Sequence, residues 1–163
     1  MVRIDNRLVH GQILESWVPF LKTAKIIVVN DQVASDLFME SVIKMAVPHD
    51  IELFVYPVEE FAKSYAGSRS IGRNTIILFA DVEDVINAYQ WGFRFESLNI
   101  GNVNGGSDKR CVISHIFMSS NEINDLMALA NNGVEIEIRG VPPDKPLQFS
   151  DAVKKMQERA RSG

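Results

Sequence analysis

One cysteine, Cys111, stands in 163 residues, so no internal disulfide can form and no thiol pair offers a redox or zinc site. Positive charge is short as well: 17 Lys and Arg against 21 Asp and Glu give a net charge of −4, with no basic run of the kind that tracks nucleic acid or an anionic membrane. Nucleic acid is therefore not an expected partner. The longest apolar runs, Ile26–Val29 and Thr75–Ala80, fall far below the roughly 20 residues a membrane helix needs. No charged segment followed by a long apolar stretch opens the sequence, so the expectation is a cytoplasmic chain with no direct membrane insertion. Also missing are G-x-x-x-x-G-K-[ST], G-x-G-x-x-G after a strand, G-x-S-x-G and Cys-x-x-Cys, which removes the familiar nucleotide, hydrolase and zinc chemistries. No metal and no cofactor is expected.

What is present is enough apolar material, 46% of the residues, for one core, and the expectation is a single domain over residues 1–163. Short β-branched runs alternate with segments of helical period. Val2–Asp5 reads as a strand, and Ile13, Leu14, Trp17, Val18 and Leu21 line one face of a helix, which Pro19 should break near Phe20. A strand at Ile26–Asn30 precedes a helix from Asp31 to about Ala46, for which Asp31 is the expected N-cap. Ile51–Tyr56 reads as a strand, followed by a short helix with Pro57 at its first position. Thr75–Phe79 and Ser97–Ile100 read as strands on either side of a helix capped by Asp81. Cys111–Met118 is a further strand with loose alternation. Ser119 and Glu122 form a capping box, Gly133 ends that helix, Val134–Arg139 is the last strand, and the tail after Pro146 is helical. This alternation predicts the α/β class: an open, mostly parallel twisted sheet of about seven strands with helices on both faces.

Ligands of such sheets gather beyond the carboxyl ends of the strands. V-R-I-D-N-R-L-V-H-G-Q, residues 2–12, lies there. Free N–H groups at the helix start favour an anion such as phosphate beside His10; Gly11 permits close backbone approach, and Gln12 adds a side-chain donor. Arg7 offers a planar fork to phosphate oxygens, while Asp5 can orient Arg7 or accept the imidazole N–H. The bland alternative is a surface ion pair of Asp5 with Arg7 and a histidine covering a helix start, and spacing alone leaves both open. His49 and His115 lack neighbours that would complete a site, so structural or solvated roles are expected for them.

R-I-D-N-R-L-V-H-G-Q, Trp17 and K-I-I-V-V-N-D resemble the active-site signature of the IIB subunits of bacterial sugar phosphotransferase systems of the mannose, fructose and sorbose family. L-N-I-G-N near residue 100, Lys109 with Arg110, and G-V-E-I-E-I-R-G-V-P from Gly133 extend the resemblance over nearly the whole chain. The resemblance implies a protein-N(pi)-phosphohistidine–sugar phosphotransferase. By position His10 takes the phosphoryl group from a IIA partner and passes it to a sugar during uptake through the membrane subunits IIC and IID. Arg7, Asp5 and the loop groups of Gly11, Gln12 and Gly101 would serve that transfer. Where the family commonly has two glycines after the fifth strand, this chain has Gly101 and Asn102, so Asn102 is either a new polar contact or a plain loop substitution. Two other classes of function compete: a regulatory IIB-like module that is phosphorylated but binds a control protein, and a small-anion or nucleotide domain that uses the loop without a covalent adduct. Lys109 and Arg110 are expected to join Arg7 in steering an acidic patch on the donor.

Overall fold

The computed structural model describes residues 1–67, 71–72, 74–113 and 115–162. Its strands are β1 (Val2–Asp5), β2 (Lys25–Val29), β3 (Glu52–Tyr56), β4 (Thr75–Phe79), β5 (Ser97–Asn102), β6 (Arg110–Ile113), β7 (Ile116–Met118), β8 (Glu135–Ile138) and β9 (Leu147–Gln148). Seven of them form one sheet in the order β3-β2-β4-β1-β5-β8-β9, parallel throughout except for β9 against β8. The remaining pair, β6 and β7, is an antiparallel hairpin. Strand β1 is central: the chain builds outward from it to β2 and β3 on one side, then crosses to β5 and β8 on the other. A crevice at the carboxyl end of β1 is the topological consequence.

The helices are α1 (Val18–Leu21), α2 (Asp31–Ser35), α3 (Leu37–Ala46), α4 (Val58–Ser64), α5 (Val82–Gln90), α6 (Ser120–Asn131) and α7 (Phe149–Ser162). They cover both faces. Ile13, Trp17, Val33 and Ile43 pack on one side of the sheet against Ile26, Val28, Ile76 and Leu78. Phe61, Val85, Leu126 and Phe149 pack on the other against Ile4, Ile27, Phe79 and Ile100. The period-2 pattern of the strands divides their side chains between these two cores.

Several expected boundaries move, each for a local reason. Ahead of α1 runs a π-helical turn, Ile13–Trp17, in which the Val18 amide reaches back to the Ile13 carbonyl. Pro19 thus falls in the first turn of a restarted helix, where its missing N–H costs nothing, and no break occurs at Phe20. The helix expected over 31–46 divides at Asp36, whose carboxylate accepts from the Phe38 and Met39 amides and opens α3. Asp31 does not cap α2: Asn30 does, accepting from the Val33 amide at 3.1 Å, while Asp31 accepts from the Val58 amide at 2.8 Å at the start of α4. Pro57 is the N-cap of α4 and not its first helical residue. The single strand expected at 111–118 is the β6–β7 hairpin, and the turn between its strands explains the loose alternation; Ser114 in that segment lies outside the described residues.

Candidate functional site

The alternation of β1 sends Val2 and Ile4 into one core and puts Arg3 and Asp5 on the opposite face. Both are fully buried, and Arg3 Nη2 donates to Asp5 Oδ2 at 2.9 Å. Beyond Asp5 the chain turns sharply: the Leu8 amide bonds the Asp5 carbonyl at 2.8 Å and Leu8 itself sits at φ 53°. This turn folds Arg7 back onto Asp5. Arg7 gives its backbone amide (3.2 Å) and Nε (3.0 Å) to Asp5 Oδ1, and Nη2 to Asp5 Oδ2 at 3.1 Å. The same Nη2 reaches Gln12 Oε1 at 3.0 Å, so Gln12 accepts from Arg7 through its oxygen and keeps its NH₂ group for another partner.

His10 sits at the junction with the helix, where its carbonyl accepts from the Ile13 and Leu14 amides. Its Nδ1 lies 2.9 Å from the Leu8 carbonyl, and since a carbonyl only accepts, Nδ1 carries the proton. Nε2 has no hydrogen-bond partner among the described residues, is shielded from solvent and lies 3.7 Å from Asp5 Oδ2. Gly11 is exposed, with open space where a Cβ would stand. Asp5, Arg7, His10 and Gln12 are thus brought together, with Gly11 beside them in the chain. Burial pushes the Asp5 carboxyl upward, but the hydrogen bonds from Arg7 and the charge of Arg3 outweigh it and hold Asp5 below the usual carboxylate range.

Gly101 lies on the neighbouring strand. The β1–β5 register pairs Ile4 with Ile100 and Asp5 with Asn102, so Gly101 is the extra residue of a bulge. A Cβ there would lie 1.9 Å from Arg3 Nη2, so the backbone of β5 leaves room only for the Arg3 guanidinium. Asn102 makes the polar contact that was one of its two readings: its amide bonds the Asn6 side chain, and its carbonyl accepts from the Asn6 amide at 3.2 Å.

Sequence reasoning passed over Arg3 and its surroundings. Nη1 donates to Asn99 Oδ1 and to the Arg139 carbonyl at 3.0 Å, and Nη2 also reaches the Gly140 carbonyl at 3.1 Å. Trp17 stacks on the guanidinium at 5.4 Å and donates its indole N–H to the same Gly140 carbonyl at 2.9 Å. The signal was available: a charged residue at position i and another at i+2 in a central strand share one buried face and must pair.

Elsewhere the expectations divide. Lys109 is paired with Glu122 at 2.8 Å and so is not an uncommitted steering charge, whereas Arg110 is exposed at the start of β6. His115 Nε2 donates to the Gly101 carbonyl at 2.9 Å, a structural role, and His49 is exposed in a turn. A cleft of about 460 Å³ beside the loop is lined by Asn6, Leu8, Asp31, Met39, Asp81 and Asp84. Burial raises the Asp84 carboxyl to about 7, helped by the charges of Asp81, Asp31 and Glu83 and opposed by a hydrogen bond from Asn30.

A seven-stranded, doubly wound sheet with a histidine, arginine and aspartate loop at the end of its central strand defines an α/β domain whose candidate site opens at the carboxyl edge. The chain belongs to the PTS system sorbose subfamily IIB components, whose family model matches residues 1–162, and so to the phosphotransferases of sugar uptake. It is 27% identical over 149 residues to the PTS system fructose-specific EIIB component of Bacillus subtilis (strain 168), covering 91% of each chain. It is 28% identical over 156 residues to the PTS system mannose-specific EIIAB component of Escherichia coli (strain K12), covering 96% of this chain and 48% of that protein. The crystal structure of the IIBSor domain of the sorbose permease from Klebsiella pneumoniae superposes with a TM-score of 0.85 at 24% identity over 95% of both chains, a likeness of fold.

Proposed function

We propose that residues 1–163 act as one cytoplasmic domain that accepts a phosphoryl group on His10 from a IIA partner and passes it to a sugar held by membrane subunits IIC and IID. The observation that carries this reading is the His10 imidazole at the carboxyl end of β1, beside an Arg7 fork already aligned by Asp5. The mannose-specific relative is an EIIAB component, a pairing of A and B parts that supports a IIA donor. In the step itself, the lone pair of an imidazole nitrogen attacks phosphorus in line while the donor's bond to phosphorus breaks. Charge in flight spreads over three oxygens, which Arg7 and the leading amides at Gly11 and Gln12 would stabilise. In the resting geometry Nδ1 is engaged with Leu8 and Nε2 is shielded, so the ring turns or shifts before it attacks.

Incubation with a phosphorylated IIA donor tests the reading by intact mass. One acid-labile phosphoryl group should be added to the native chain and none to His10→Ala. An adduct that persists in His10→Ala, on His49 or His115, overturns it.

A further inference from the structure

Arg3 is a fully buried cation: its side chain has no solvent exposure and its two terminal nitrogens serve four acceptors on three strands or strand ends. Stability alone does not account for it, because an apolar residue would fill the space beside Trp17 without stripping water from a guanidinium. Among the described residues its only charged hydrogen-bond partner is Asp5. That carboxylate receives Arg3 on one side and the whole Arg7 fork on the other, with His10 Nε2 at 3.7 Å. With Arg3 fixed by Asn99 and the Arg139 and Gly140 carbonyls, the carboxylate plane is fixed as well, and it dictates where Arg7 points. Gly101 belongs to the same device, since a methyl group there would overlap Arg3 Cζ at 2.1 Å.

Resting on the phosphohistidine reading above, we infer that Arg3 is a positioning residue for phosphoryl transfer, acting through Asp5 on Arg7 and His10, and that Gly101 is glycine in order to admit its guanidinium. Groups that act through a ligand or catalytic residue in this way carry about 10–100-fold of its activity, and a displacement of about 1 Å at the reacting groups costs a comparable factor.

The test is single-turnover transfer from a phosphorylated IIA donor, at several donor concentrations, to the full chain and to Arg3→Lys, Gly101→Ala and the double variant. An ammonium at position 3 keeps the charge but cannot span Asp5, Asn99 and two carbonyls. Each single variant should lower the limiting rate about 10–100-fold while the half-saturating donor concentration moves by less than about threefold. The double variant should be no slower than the slower single one, because both changes break one contact. The ¹⁵N shifts of the His10 ring should report a single Nδ1–H tautomer in the native chain and a mixture in the variants, which a purely structural role would not produce. Limiting rates within about twofold of native, or losses that multiply in the double variant, overturn the inference. Gly101→Ala deletes no donor or acceptor and acts only by displacing the Arg3 guanidinium, so it decides the matter even where Arg3→Lys fails to fold. Labelling of His10→Ala would instead sink the phosphohistidine reading, so the two failures are distinguishable.

Discussion

Two arginines hold the same carboxylate in opposite surroundings: the Arg3 side chain is 0% exposed, that of Arg7 40%. Arg3 is locked by carbonyls 136 and 137 residues away, whereas Arg7 is held, among the described residues, only by Asp5 and Gln12. The inner contact sets geometry, and the outer one remains available to a ligand. A buried ion pair is costly to break, since the abandoned partner cannot return to water, while an exposed pair contributes little and can be exchanged.

The comparison is broken most severely at the atom pair both arginines share. Asp5→Ala strands Arg3 in the interior and should destabilise the fold by about 3–5 kcal/mol in urea denaturation; a loss under 1 kcal/mol would mean that Arg3 finds other compensation. The same contact has a pH signature. Because the folded carboxyl of Asp5 lies below its unfolded value, its contribution is complete above the ordinary carboxylate range and is lost as pH falls through the lowered folded value. Acid denaturation of Asp5→Asn should therefore lack part of the native chain's pH dependence.

Arg7→Lys comes next. It keeps the charge at the outer position but loses the fork, so transfer should slow about tenfold or more while stability changes by less than about 1 kcal/mol. An unchanged single-turnover rate would make Arg7 a surface residue.

Asp84 sharpens the contrast as a carboxylate whose donor is the neutral Asn30 amide. Its folded value, raised to about 7, exceeds the unfolded one, so the folded state binds the extra proton and stability falls as pH rises from about 4 to about 7. Asp84→Asn should raise the melting temperature more at pH 8 than at pH 5. An equal rise at both would show that Asp84 is not strained by its charge.

Gly11→Ala is the mildest change. The space at its Cβ is empty, so stability should stay level or rise by up to about 1 kcal/mol, as differential scanning calorimetry would show. A slower transfer in that variant, with melting unchanged, would mark the backbone approach of a phosphate or partner.

Most of the fold was legible because the strands are β-branched runs and the helices carry their own caps, such as Asp81 accepting from the Asp84 amide and the Ser119–Glu122 box. The outer half of the site was legible because Asp5, Arg7, His10 and Gln12 interact within a few residues of one another. Its inner half was not. Arg3 meets Asn99, Arg139 and Gly140, and no local periodicity connects residues so distant. The exchange of roles between Asn30 and Asp31 escaped for the same reason: either side chain can cap a helix, and only the arrival of Val58 assigns Asp31 elsewhere.

The distance that hid Arg3 has a consequence in time. Its last two acceptors follow it by 136 and 137 residues, and β1 pairs only with β4 and β5, which are also made much later. During synthesis the histidine loop therefore emerges well before the segments that support it, and the loop-closure cost of joining such remote segments is recovered in contacts only once both have been made. Until Gly140 emerges, Asp5 and Arg7 have no fixed frame. On the function proposed above, competence to carry a phosphoryl group would thus arrive only with the closing of the sheet.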